Sequence, residues 1–234
     1  LKRKAVLRQA QDKRVLLVAL LALALAACSG QSRPRGPELP PAANPSAVIA
    51  AELAFARLAQ EKGQWTAFAQ YAADDAVMFV PEPVNAKQWL KKQTNPAQAV
   101  KWQPYQVWSS CDGTLAVTKG AFQQPNGTVG YFTTVWERHR NGEDYKWVMD
   151  QGDTLAQPLA EPEMIAATVA DCGGKQFPPA IVSAPSSTIH QGAAKDGTLT
   201  WSVAVNPDGS RVVLVNSWDG SGWEHVLREQ VAAQ

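Results

Sequence analysis

The stretch Val129-Gly-Tyr-Phe-Thr-Thr-Val-Trp-Glu-Arg138, followed by Asn141-Gly142 and then Tyr145-Lys-Trp-Val-Met-Asp-Gln-Gly152, decides the fold of this chain. Two β-rich runs flank a dipeptide that favours a tight hairpin turn. A period of two puts Tyr131, Thr133 and Val135 on one face of the first run and Phe132, Thr134 and Trp136 on the other. In the second run it groups Lys146, Val148 and Asp150, with Tyr145, Trp147 and Met149 opposite. Upstream, Asn126-Gly127 marks another hairpin turn, preceded by a strand over 114–123. A further strand runs over 100–109, with Trp102 and Trp108 on one face. Pro104 inside it argues for an edge position or a bulge.

Helical patterns precede this meander. From Pro45, the residues Val48, Leu53, Phe55, Leu58 and Ala59 recur near a 3.6 period. Asn44 or Ser46 is the expected cap, and Gly63 ends or kinks the helix. Trp65, Phe68, Ala69 and Ala72 form the apolar side of a second, short helix that Asp74-Asp75 breaks. A strand over 76–80 and a brief helix over 86–93, anchored by Trp89 and Leu90, complete the N-terminal half. Helices followed by a run of antiparallel strands give an α+β class. Residues 157–196 read as a Pro-, Ala- and Ser-rich linker with a short helix at 161–170. Residues 197–234 read as a β-rich extension of three strands that packs on the first domain or on a partner.

The first 44 residues read as an address. Lys2, Arg3, Lys4, Arg8, Lys13 and Arg14 precede a 13-residue apolar run from Val15 to Ala27, shorter than the roughly 20 residues that span a bilayer. Leu25-Ala-Ala-Cys28 after that run resembles a bacterial lipoprotein signal. The resemblance implies a signal peptide over 1–27 and lipidation at Cys28, which anchors the chain in the cell envelope. Ser29 in the following position points to the outer membrane, facing the periplasm. An ordinary secretory signal with an incidental Cys28 is the alternative. Leu1 is consistent with a non-standard start codon. Residues 29–44, rich in Pro and Gly, read as a tether.

Residues 1–27 hold six of the 22 basic and one of the 21 acidic residues, which leaves the remainder with a net charge of −4. No basic patch suggests nucleic acid. Cys111 and Cys172, the remaining pair, can form a disulfide in an oxidising compartment or persist as two separate buried thiols. With two cysteines and scattered His139, His190 and His225, no zinc-site spacing exists and no cofactor motif is present.

Several strings add a second resemblance. Gly63-Gln-Trp-Thr-Ala-Phe68, Ala73-Asp-Asp-Ala-Val77, Phe79-Val-Pro-Glu-Pro83, Leu115-Ala-Val-Thr-Lys-Gly120, Tyr131-Phe-Thr-Thr-Val-Trp136 and Lys146-Trp-Val-Met-Asp150 resemble, in this order, a SnoaL-like domain of the nuclear-transport-factor-2-like group. The domain would occupy residues 45–156. The resemblance implies helices packed on a strongly curved antiparallel sheet that forms a cone with an internal pocket. Expected pocket residues are Trp65, Tyr71, Phe79, Trp89, Trp102, Tyr131, Thr133 and Asp150. Enzymes of the group, among them isomerases, dehydratases and cyclases, use a pocket Asp or His as general base. Asp150 is the candidate here, with Tyr131 as an oxyanion donor. Three function classes follow: a module binding a small apolar or aromatic ligand, an envelope protein-protein interaction module or homodimer suggested by Trp201, Trp218 and Trp223, and a pocket-Asp enzyme.

Overall fold

The computed structural model describes residues 43–139, 143–173 and 186–233. Cys28, the apolar segment before it, the tether up to residue 42 and the Asn141-Gly142 turn lie outside the described residues. Helix α1 (Pro45–Lys62) starts where Asn44 accepts a hydrogen bond from the Ser46 N–H at 3.1 Å, with Pro45 in the first turn. It ends at Gly63, whose φ of 101° suits a residue without Cβ. Helix α2 (Gln64–Tyr71) follows at once, and Asn95 caps it from a distant loop through the N–H groups of Trp65 and Thr66. The chain continues through β1 (Ala72–Phe79), β2 (Pro83–Asn85) and the short helix α3 (Ala86–Leu90).

The long strands are β3 (Lys101–Ser109), β4 (Leu115–Gln123), β5 (Val129–Glu137) and β6 (Lys146–Leu155). With β1, β2 and β7 (Ala166–Val169) they form a seven-stranded sheet in the order β2-β1-β6-β5-β4-β3-β7. It is antiparallel except where β1 joins β6 and β7 joins β3. A second sheet orders β11-β10-β9-β8, formed by Thr188–Ala193 (β8), Leu199–Val205 (β9), Arg211–Trp218 (β10) and Trp223–Val231 (β11). The class is α+β with a large, curved, mostly antiparallel sheet. Adjacent strands approach very closely at two glycines. A Cβ on Gly120 would lie 1.9 Å from the Gln103 carbonyl oxygen, and one on Gly130 would lie 2.3 Å from that of Asp153.

The large sheet is covered on both faces. Val48, Phe55 and Ala59 of α1 pack with Ala67, Trp136 and Trp147 on one face. Leu115, Val117, Val135 and Met149 pack on the other against Leu199, Trp201, Val203, Val213 and Val215 of the second sheet. A disulfide joins Cys111, in the β3–β4 turn, to Cys172, with Cα atoms 5.2 Å apart. Beside it, Asp171 donates its N–H to the Trp218 carbonyl of β10.

Several expectations need correction. Trp102 and Trp108 lie on opposite faces, because a bulge between Pro104 and Gln106 shifts the register. Pro104 thus marks the bulge. A second bulge places Trp136 opposite Trp147 but Val135 opposite Met149, so Trp147 and Met149 also part company. Asp74-Asp75 lies inside β1, where Asp74 pairs with Lys87 at 2.5 Å. The helix expected at 161–170 is instead the edge strand β7, which satisfies its backbone against β3. The expected linker also contributes β8, which pairs with β9. In α1 the buried seam is Val48, Glu52, Phe55 and Ala59, whereas Leu53 is 40% exposed.

Candidate functional site

A cavity of about 270 Å³ opens between the helices and the concave face of the large sheet. Its aromatic walls are Phe55 from α1, Phe68 from α2, Trp102 from β3, Phe122 from β4 and Phe132 from β5. Thr134 and Asp150 supply polar atoms from β5 and β6. Gln64 fixes one side of the opening. Its side chain accepts the Val100 N–H at 3.1 Å, and Gln60 donates to the Val100 carbonyl at 2.7 Å. The start of β3 is therefore pinned to α1 and α2. Phe55, Phe68 and Trp102 meet with ring centroids 4.8–5.9 Å apart and planes inclined by 64–68°. They form separate walls rather than a stack.

Two carboxyl groups serve this face. Asp150 is half-buried and accepts a hydrogen bond from the Thr134 hydroxyl at 2.7 Å. Burial raises its pKa to about 7. The Thr134 bond opposes the rise, and the charge of Glu52 adds to it. Glu52, fully buried on α1, sits behind Trp102. It accepts from the Trp102 indole at 2.8 Å, the Trp136 indole at 3.0 Å and the Thr118 hydroxyl at 2.6 Å. Burial pushes its pKa up, and these three donors pull it back. Thr118 also approaches the Thr134 carbonyl at 3.4 Å, so β5 touches both carboxyl sites.

Only part of the expected pocket gathers here. Trp102 and Asp150 line the cavity. Trp65 and Trp89 pack edge-to-face at 5.2 Å within the helical layer, outside the cavity lining. Tyr71 packs on Phe55 and Trp136 and borders a separate surface groove. Phe79, Tyr131 and Thr133 lie on the opposite face, toward the second sheet. Arg211 stands 4.6 Å from the Phe79 ring, and Lys119 stands 5.1 Å from the Tyr131 ring. Thr133 donates to Glu229 at 2.8 Å. Burial, then the charges of Glu229 and Asp153, raise the Tyr131 pKa to about 12. On the opposite face and outside the cavity lining, Tyr131 cannot serve as an oxyanion donor to Asp150 chemistry.

Sequence reasoning missed Glu52, Phe55, Phe68, Phe122 and Phe132. Glu52 was legible only through its spacing: four residues after Val48 and three before Phe55, it sits in the apolar seam. The tryptophans of the C-terminal module are spent inside the fold. Trp201 is buried between the sheets, and Trp218 donates to the Gly173 carbonyl at 2.9 Å while packing on Trp223. Among the described residues no cluster of three or more metal-ligating side chains occurs.

No family model matches the chain, and no curated protein matches it. Solved structures similar to it include a cystatin-like fold protein from Burkholderia xenovorans LB400, 16% identical over 48% of this chain and 92% of that one, with a TM-score of 0.39. A DUF3225-family protein of unknown function from Pectobacterium atrosepticum SCRI1043 is 11% identical over 48% and 91%, TM-score 0.38. The beta subunit of benzoate 1,2-dioxygenase from Burkholderia mallei ATCC 23344 is 16% identical over 48% and 91%, TM-score 0.37. The Burkholderia xenovorans protein is the one of these three that carries the cystatin-like name. Nothing about function is carried from them, and the site rests on this chain's own geometry.

Proposed function

We propose that this chain is a binding module that holds a small aromatic ligand in the cavity between α1, α2 and the large sheet. The observation that carries the reading is the cavity itself: five aromatic rings around one half-buried carboxyl. Ligand pockets have this make-up, mostly apolar walls with a few placed polar groups. At about 270 Å³ the space lies just below the usual range of about 300–1,000 Å³, which fits a ligand of one or two rings. Calorimetric titration with 2-naphthalenemethanol tests it. One saturable site is expected, weakened by about 1–3 kcal/mol in Phe122→Ala, the scale of a lost large apolar contact. No saturable heat, or the same affinity in the variant, would refute the reading.

The anchor belongs to the same proposal. The Leu25-Ala-Ala-Cys28 box supports lipidation of Cys28, which would hold the module at the bacterial outer membrane. Cys28→Ala should leave an unprocessed precursor without fatty-acid label. Label that persists in the variant sinks the anchor.

A second reading, proton transfer by Asp150, is favoured by its pKa of about 7, the range that suits a general base. The lining contains no histidine, lysine or arginine to complete an acid–base pair, so binding is the reading adopted. A turnover that falls more than about 10²-fold in folded Asp150→Asn, the lower end of a general base's contribution, would reverse that choice.

A further inference from the structure

The charged groups of the cavity are all of one sign. Asp150 lines it, Glu52 stands directly behind Trp102, and the charge of Asp153, at the rim, acts on Tyr131 and Arg211 of the opposite face; every other lining side chain is uncharged. The cationic side chains of the neighbouring strands point elsewhere. Lys119 pairs with Glu229 at 2.8 Å, and Arg211 donates to Gln151 and to the Gly152 carbonyl, both on the opposite face. An anionic ligand would meet like charge and no cation.

Trp102 adds a second, independent observation. Its indole N–H is the one donor of that ring, and it is committed to Glu52. The ring therefore offers the cavity its π system and no hydrogen bond. Donation to a carboxylate also increases electron density on an indole, which strengthens its attraction for a cation. Phe55 and Phe68, inclined to it by 68° each, supply further walls of the same character.

Resting on the binding reading above, we propose that the ligand is an organic cation: an aromatic or alkyl amine whose ammonium group sits at Asp150 among the rings of Phe55, Phe68 and Trp102. Recognition combines a charge-assisted hydrogen bond from ammonium to carboxylate with cation–π attraction. The ammonium replaces the solvation that Asp150 loses in the folded chain. Binding thus requires ionised Asp150. The titratable group facing it is Glu52 from α1; Asp153, further along β6, acts on Tyr131 and Arg211 of the opposite face, and α2, β4 and β5 present Gln64, Phe68, Thr118, Phe132 and Thr134. With the Asp150 pKa near 7, affinity for the amine rises between pH 6 and pH 8.

The test compares three probes of one shape by calorimetry on the intact protein: 2-naphthylmethylamine, 2-naphthalenemethanol and 2-naphthoate. At pH 8 the amine should bind at least about tenfold more tightly than the alcohol, as cation–π and ion-pair gains allow. The carboxylate should bind most weakly. Asp150→Asn should abolish the preference for the amine over the alcohol, with a cooperative thermal melt reporting that the variant is folded. Thr134→Val offers a second handle, since losing its hydroxyl raises the Asp150 pKa and should weaken amine binding at pH 7 more than at pH 8.5. Equal affinity of amine and alcohol in the wild type, or carboxylate binding most tightly, overturns the cation assignment and leaves the binding reading standing. Failure of all three probes to bind overturns both.

Discussion

The two faces of the large sheet each bury a glutamate, and they treat it differently. Glu229, facing the second sheet, meets a cation: Lys119 contacts it at 2.8 Å, with Thr133 and Gln151 completing its shell. Glu52, facing the helices, meets two indoles and a hydroxyl, with Asp150 as its charged neighbour. A neutralised carboxylate lets two surfaces close on each other. A carboxylate held by neutral donors leaves net negative potential in a low-dielectric layer. Residue size reinforces the contrast. Leucine, valine, a methionine and two tryptophans interdigitate between the sheets, whereas inclined aromatic rings leave a void under the helices. One face holds the C-terminal module, and the other encloses the cavity.

The disulfide gives the largest expected effect on this contrast. It closes a loop of 61 residues that ends beside the second sheet. Cys111→Ser with Cys172→Ser should lower stability by about 4 kcal/mol on the chain-entropy estimate. Urea unfolding reads the change, and a loss under about 1 kcal/mol would mean that the sheets hold each other without the link. Next comes Glu52→Ala, which strands the Trp102 indole N–H and leaves the Trp136 indole only its bond to Thr118 at 3.1 Å and the Thr118 hydroxyl only the long contact to the Thr134 carbonyl at 3.4 Å. A loss of about 3 kcal/mol is expected, at the scale of 1–3 kcal/mol for each orphaned buried group, partly relieved by entering water. An effect near zero would show that Glu52 does not organise the aromatic layer.

Asp150→Asn should act in the other direction. The folded pKa of about 7 lies above the ordinary carboxylate value, so between about pH 4 and pH 7 the folded chain retains a proton that the unfolded chain has lost. Stability therefore falls as pH rises across that window, and the deficit is complete above pH 7. Removing the group should stabilise the protein at pH 8 by about 2–3 kcal/mol, allowing for its access to solvent through the cavity mouth, and leave stability near pH 4 almost unchanged. A variant equally affected at both pH values would contradict the buried-carboxyl account. The smallest effect belongs to Leu53→Lys. Because Leu53 is 40% exposed, a change within about 0.5 kcal/mol is expected in thermal melts.

The hairpins over 114–152 and the α+β class were legible because period and turn chemistry agree there. The grouping of alternate side chains on β5 was legible for the same reason, but not which group faces the helices, since Tyr131 and Thr133 were expected in the pocket and Phe132 and Thr134 line it. On β3 and β6 it was not, because one bulged residue reverses every side chain beyond it. Pro104 signalled the first bulge, and no residue type signalled the second. The edge strands β7 and β8 carry weak patterns, with every residue of β7 exposed, and owe their form to their neighbours. Of the site, Trp102 and Asp150 could be read from the sequence. Glu52 was marked only by its place in the apolar seam of α1, and a lone charged residue between apolar ones reads as a solvated position until tertiary packing supplies its donors.

Mapping a neutral aromatic probe onto the backbone tests most directly the claim that the helix-covered face is the binding face. In ¹H–¹⁵N spectra titrated with 2-naphthalenemethanol, saturable shifts should concentrate at Gln64, Phe68, Trp102, Phe122, Thr134 and the 150–154 segment. The amides of β9–β11 should stay in place. Saturable shifts that cluster on β9–β11, with the cavity amides unmoved, would contradict the account.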